Sequence, residues 1–361
     1  MMKTKFTVAA AVFGALTTPA LAGSLERNSM PVELMFEPGN LLQFSYTGPM
    51  PDLSAEPFGS TGSVFDDFTT FGFAYKTQLN DALALGLFFN QPFGAKNGYG
   101  DGPLAGYEID FQTNEVAAVL SYQYNSTLSL HGGLRAVQSE LDLGIAPALA
   151  YELSTGQDTS FGYLLGASIV VPERGARITM TYQSAVQHSF SSTEDTTAVG
   201  GAITSTTTEA ELPQSIKLDG EIALNSNTLL FGGVKWSDYS GFDVAAPGIG
   251  AVLGRSIIDY KEDNLNLTVG LGRSINDEWS VFGILDVQVA DEEQTSLRPY
   301  DGSRALTLGG IYESGQYKVT AGAQYRQFGD TSVTEALLGG ATAEFGGNDA
   351  VSPFLSIAYS F

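Results

Sequence analysis

SPFLSIAYSF, residues 352–361, decides how the rest of the chain is read. Apolar side chains fall at Val351, Pro353, Leu355, Ile357, Tyr359 and Phe361, with Ser352, Ser356, Ala358 and Ser360 between them. A period of two puts one greasy face on a β-strand. Soluble domains usually leave their last residues polar and frayed. A strand closing on Tyr-x-Phe suits the aromatic girdle of a transmembrane β-barrel, and the alternative is the edge strand of a soluble β-sandwich.

Working outward, the first residues speak to the compartment. Lys3 and Lys5 precede an apolar core at 6–16, and Ala20-Leu21-Ala22 forms an A-x-A cleavage signal. Residues 1–22 therefore read as a secretory signal peptide. That apolar core is too short to span a membrane, which takes about twenty residues. The chain has no cysteine, so an exported protein of this size must be held by something other than crosslinks. A net charge of -23, or -25 without Lys3 and Lys5, excludes a basic nucleic-acid-binding surface. With 22 Phe and 16 Tyr, disorder is excluded as well.

Between alternating stretches, tight-turn signals recur at Asn80-Asp81, Asn125-Ser126, Arg174-Gly175, Asn225-Ser226, Asn276-Asp277 and Ser314-Gly315. Longer polar or Gly-rich loops alternate with them near 48–66, 94–109, 140–158, 189–210, 238–261, 291–303 and 329–350. Short turns on one side and long loops on the other is the asymmetry of outer-membrane barrels. Thirteen such connections make fourteen strands. They are predicted at 40–47, 67–79, 83–93, 110–124, 127–139, 159–173, 176–188, 211–224, 227–237, 263–275, 279–290, 304–313, 316–328 and 351–361. The predicted fold is all-β, a 14-stranded antiparallel transmembrane β-barrel at 41–361 with a short N-terminal plug segment at 23–40.

The faces sort accordingly. Ile216, Leu218, Ile222 and Leu224 oppose Ser215, Lys217, Asp219 and Glu221, and Trp279, Val281, Leu285, Val287 and Val289 oppose Phe282, Ile284, Asp286 and Gln288. A lipid-facing Lys or Arg at mid-membrane costs about 2–4 kcal/mol, so charge must collect on the inner face.

QPFG (91–94) after the third strand and LPQSIKLDGEIAL (212–224) entering the eighth, with the signal peptide and strand count, resemble the outer-membrane long-chain fatty-acid and hydrophobic-compound transporters of the FadL type. The resemblance implies an N-terminal hatch and hydrophobic substrates that leave sideways through a defect in the third strand. The segment at 23–40 is short for such a hatch. The family's Asn-Pro-Ala is absent, and Glu37-Pro38-Gly39-Asn40 stands nearby.

A path for amphiphiles needs an apolar groove with a few polar fixtures. Lumen positions Phe88, Phe231, Phe282 and Ile284 are candidates to line it, with Lys235 and Arg326 as cations that meet a carboxylate. The alternative is that they pack the hatch and pair with lumen carboxylates. Pro92 cannot donate to a ladder, so it marks either a lateral opening or the end of the strand. Met35 and Phe36 are candidate plug residues. No catalytic set, metal site or cofactor is indicated: His131 and His188 have no sequence-level partners for a triad, and there is no His pair at ligand spacing. The rival function is a general or polar-solute porin. Expected partners are outer-membrane lipid and lipopolysaccharide, hydrophobic small molecules and, through the aromatic Phe361, the barrel-assembly machinery. Nucleic acid is not among them.

Overall fold

The computed structural model describes residues 25–56, 63–100, 105–145, 150–254, 256, 258–260, 262–290, 294–295, 298–335 and 341–361. The signal peptide expected at 1–22 lies outside them. Fourteen antiparallel strands form a closed barrel. They are β1 (Leu41–Thr47), β2 (Thr70–Gln78), β3 (Leu83–Asn90 and Gly94–Gly98), β4 (Tyr107–Gln123), β5 (Leu128–Ile145), β6 (Asp158–Val171) and β7 (Ala176–Gln183 and Val186–Asp195). The remainder are β8 (Ile203–Leu212 and Gln214–Asn225), β9 (Thr228–Asp238), β10 (Asn264–Ser274), β11 (Trp279–Gln288), β12 (Ser303–Ser314), β13 (Tyr317–Phe328) and β14 (Asp349–Ser360). Each strand pairs with the next, and β14 returns to β1 with Leu41 opposite Ser360 and Thr47 opposite Phe354. Closure leaves the sheet no terminal edge strand in lipid, where each unpaired backbone group costs several kcal/mol.

The tight turns fall where the sequence signals them, and their chemistry is local. Asn80 Oδ1 accepts from the amides of Ala82 and Leu83 at 3.0 Å. Asn125 Oδ1 accepts from Thr127 and Leu128 at 2.8 Å, and Asn276 Oδ1 from Glu278 and Trp279 at 2.9 and 2.8 Å. These Asx turns reverse the chain without help from elsewhere. Gly315 adopts φ +61, a left-handed conformation that favours glycine.

The outer face locates the bilayer. Along β4, the outward residues change from Glu108, Asp110, Gln112 and Asn114 to Val116, Ala118, Leu120 and Tyr122. Along β7 they change from Ile178 and Met180 to Gln187, Ser189, Ser191 and Thr193. The upper halves of β4, β5, β7 and β8 therefore stand above the lipid. Here the structure corrects the sequence reading: β5 continues to Ile145, β7 to Asp195, and β8 begins at Ile203. The stretch SFSSTED is polar because its outer face meets water, yet it alternates, with Phe190, Ser192 and Glu194 buried. The long loops also hold order: Met50–Asp52 extends the β14 ladder, Thr331–Glu335 pairs with Ala341–Phe345, and a short helix α1 spans Pro247–Leu253.

Candidate functional site: a tethered segment beside a break in the wall

The segment preceding β1 runs through the lumen. Leu25, Met30, Val32, Leu34 and Met35 are buried, and Val32–Phe36 forms one 3-10 turn. Met35 packs in a cluster with Phe88, Val119, Ala117 and Leu164. Phe36 meets His131 edge-on at 6.0 Å and lies beneath the Arg177 guanidinium at 5.0 Å. Lys76 Nζ donates to the carbonyls of Glu37 at 2.7 Å and Gly39 at 2.6 Å, fixing the exit into β1.

Two ion pairs tie the same segment to the far wall. Lys217 Nζ reaches Glu33 at 2.8 Å and Asp219 at 3.2 Å. Lys235 Nζ donates to Glu26 Oε2 at 2.9 Å, and Ser237 Oγ donates to Glu26 Oε1 at 2.6 Å. The Glu26 carboxylate is thus held by one cation and one hydroxyl, nearly shielded from solvent.

The third strand is interrupted at Gln91-Pro92-Phe93. Asn90 pairs with Glu115 and Gly94 with Gln112. Three residues therefore stand against two on β4, a bulge that turns the main chain inward. Beyond the Phe73–Phe89 pair, β2 has no β3 partner. The N-terminal segment takes up the displaced groups: the amides of Arg27 and Asn28 donate to Pro92 O at 2.8 and 3.4 Å, and Gly94 N donates to Leu25 O at 2.8 Å. Thr113 Oγ1 accepts from Phe93 N at 2.9 Å and donates to Phe93 O at 2.7 Å. The Arg27 guanidinium packs over Gly94, its carbon 2.5 Å from where a Cβ would stand, so a side chain there would push Arg27 aside. The break sits where the outer face turns from apolar to polar, at the level of the outer leaflet.

A pocket open to solvent adjoins the break, with Met30, Val32, Pro92, Phe93 and Pro213 as its apolar part and a larger polar part that includes Asn90, Ser215 and the paired Glu26, Glu33, Lys217 and Lys235. A smaller pocket reaches from Asn28 and Pro31 to Phe73 and Phe89 on the outer face. Asn90 lines both, and its buried side-chain amide has no hydrogen-bond partner among the described residues. Such an orphan marks a place for a polar visitor, water or a ligand's head.

Of the residues singled out from sequence, Lys235 and Pro92 meet at the larger cavity. Phe88 packs with Met35 against the N-terminal segment instead. Phe231, Phe282 and Ile284 form a separate buried group with Leu229 and Ile311. Arg326 is engaged by Ser303 Oγ at 2.5 Å and Gln324 Oε1 at 3.3 Å. Glu26, Glu33, Asn90 and Ser237 escape a sequence reading, since nothing in an aperiodic segment or a strand interior announces a partner across the lumen.

Above the cavity, Phe93 joins a cap of buried apolar side chains that includes Tyr99, Tyr107, Phe111, Phe190, Tyr239 and Phe242. Glu194 is its polar knot. It accepts from the amides of Gly248 and Ile249 at 2.9 Å, from Thr206 Oγ1 at 2.7 Å and from Tyr151 OH at 3.0 Å. Burial alone raises a carboxyl's pKa, but these four donors more than offset it and hold Glu194 below its ordinary 4.5. Nearby, His188 has the partners that sequence does not reveal: Nε2 lies 3.1 Å from Ser139 Oγ and Nδ1 lies 2.7 Å from Asp158 Oδ2. His131 Nε2 meets Thr181 Oγ1 at 3.0 Å.

Among solved structures the chain is similar to a Pseudomonas aeruginosa FadL homologue, with a TM-score of 0.77, 15% identity and 98% of each chain covered. It is similar to the P. putida toluene transporter TodX, with a TM-score of 0.66, 14% identity, and 92% of this chain and 93% of that one covered. It is also similar to the Ralstonia pickettii toluene transporter TbuX, with a TM-score of 0.63, 13% identity and 90% of each chain covered. At such identities the likeness carries the fold. Among curated proteins none matches. The family model for outer membrane protein transport proteins (OMPP1/FadL/TodX) matches residues 45–345. The chain belongs to that family of outer-membrane transport proteins.

Proposed function

We propose that this barrel takes up long-chain fatty acids from the outside and releases them sideways, into the membrane, through the break in β3. The observation that carries the reading is the amphipathic pocket, with Met30, Val32 and Phe93 on one side and Lys217 and Lys235 on another, set directly against Pro92 in that break. An acyl chain gains from the apolar wall and a carboxylate from the cations, which is what a site for amphiphiles requires. A water-filled pore would need an open lumen, whereas here the N-terminal segment crosses it as a plug built on Met35 and Phe36. Family membership sets the general-porin alternative aside.

The cap is the proposed point of arrival and Phe93 the step from cap to cavity. Phe231, Phe282, Ile284 and Arg326 lie in the lumen wall beyond the cavity and serve the path only if the plug moves. Contact with lipid follows from the outer-membrane location. Recognition of Phe361 by the barrel-assembly machinery belongs to the same reading.

The test is removal of Pro92, which matches two residues on β3 to two on β4 and lets the ladder close. The expected result is a correctly assembled barrel that no longer takes up fatty acid. Uptake equal to wild type would end the lateral route, and large steady conductance of the wild type in planar bilayers would end the transporter reading.

A further inference from the structure

We propose that Glu26 is a built-in stand-in for the ligand's carboxylate, so that an anionic amphiphile opens the wall by displacing it. The inference rests on the hydrophobic passage proposed above and adds how that passage is gated and for which ligands.

The site of Glu26 is that of a bound carboxylate: Lys235 on one oxygen, Ser237 on the other, and the cavity alongside. Charge-assisted hydrogen bonds of this kind are the strong ones. The same residue's main chain bridges Phe93, and its neighbours Leu25, Arg27 and Asn28 hold Gly94 and Pro92. One residue therefore occupies the cation with its side chain and seals the gap in β3 with its backbone. An acyl chain lying on Met30, Val32, Pro92 and Phe93 would bring its own carboxylate to Lys235 and Ser237. The Ser237 hydroxyl has one proton to donate, so an arriving carboxylate takes that bond from Glu26 and divides the charge of Lys235 with it. When Glu26 leaves, the segment at 25–28 loses its anchor and the seal with it.

Lys235 is the cation suited to this exchange. Lys217 keeps Asp219 when Glu33 departs, while Glu26 is the one ion-pair partner of Lys235 among the described residues. A neutral compound fills the cavity without competing for either oxygen's donor. It binds, but leaves the segment tethered.

The test compares palmitic acid with its methyl ester on the full mature protein in lipid nanodiscs, as wild type, Glu26→Gln and Lys235→Met. Binding and amide hydrogen exchange over residues 25–30 are measured together. In the wild type both ligands bind, but only the acid speeds exchange. Glu26→Gln binds the acid about tenfold more tightly, within the usual range of coupling between sites, and leaves ester affinity unchanged. Lys235→Met removes the acid's advantage. Equal effects of acid and ester on exchange, or no gain in Glu26→Gln, overturn the inference while the hydrophobic passage stands. Failure of every form to bind either ligand overturns both.

Discussion

The backbone amide of Phe71 on β2 is satisfied at 3.0 Å by the side chain of Gln91, not by the main chain of β3. Gln91 Nε2 in turn donates to Asn114 Oδ1 on β4 at 3.2 Å. One side chain thus spans the place where the β3 backbone turns inward, and it closes an edge that would otherwise face the outer leaflet. Replacing Gln91 with Leu keeps the bulk and removes both bonds. Leaving that amide unpaired costs about 1–3 kcal/mol, a local loss that the closed ladder elsewhere absorbs. The expected outcome is faster exchange of the Phe71 amide and faster ligand uptake with an unchanged global melting point. Unaltered exchange at Phe71 would show that Gln91 holds nothing shut.

Glu194 makes the cap acid-sensitive. Its folded pKa lies below the ordinary 4.5, so its stabilising bonds are present above that value and are lost as pH falls through the depressed one. Removing the charge forfeits hydrogen bonds worth about 1.5–3 kcal/mol each when one partner is ionised. Limited proteolysis near α1 should therefore accelerate below pH 4.5, and Glu194→Gln should show that susceptibility already at neutral pH. A protease-resistant Glu194→Gln cap would remove Glu194 from its role.

The barrel is legible in the sequence because its determinants are local. Asn80, Asn125 and Asn276 make their turns with amides two and three residues on, and period-two alternation states which face meets lipid. The break is half legible: Pro92 announces its own inability to pair but marks a strand's end just as well, and the resumption of pairing at Gly94–Gly98, read from sequence as loop, has no local signal. The tether is not. Glu26 and Lys235 are 209 positions apart, and a charge in the aperiodic segment before β1 gives no hint of its partner. The upper walls of β5, β7 and β8 are misread as loops because alternation of Ser and Thr with a few buried side chains looks like uniform polarity. Strands above a bilayer lose the lipid-facing half of the signal.

Phe361 separates assembly from stability. Its ring is half exposed, stacked on Tyr359 at 5.7 Å, while its main chain exchanges hydrogen bonds with Asn40 at 3.1 and 3.4 Å. Phe361→Ala keeps those backbone bonds, so the refolded barrel should lose under about 1 kcal/mol for so exposed a residue. Its surface level in cells should fall well below wild type if the aromatic side chain is what the assembly machinery reads. Normal surface levels would count against that role.

Ser139, His188 and Asp158 repeat the hydrogen-bond order of a hydrolase triad, nucleophile to Nε2 and carboxylate to Nδ1. The surroundings deny it chemistry. Ser139 is 1% exposed, its strand is paired on both sides, to Thr113 and to Asp158, and the imidazole is stacked on Phe190 at 5.5 Å. Acyl transfer needs free donors where an oxyanion forms and room for the acyl group, and backbone amides committed to a ladder supply neither. What the trio does is pin β5, β6 and β7 together above the lipid. Burial lowers the His188 pKa below its ordinary 6.5, against the upward pull of Asp158. The neutral ring therefore stabilises the wall fully above pH 6.5, and that contribution is lost as pH falls through the lowered value. A fluorophosphonate probe should leave Ser139 unlabelled, and Ser139→Ala should match wild type in background ester hydrolysis. His188→Ala, which strands the buried Ser139 hydroxyl without its partner, should weaken this wall by about 1–3 kcal/mol, read as faster proteolysis between β5 and β7. Labelling of Ser139 would instead make the trio a working site.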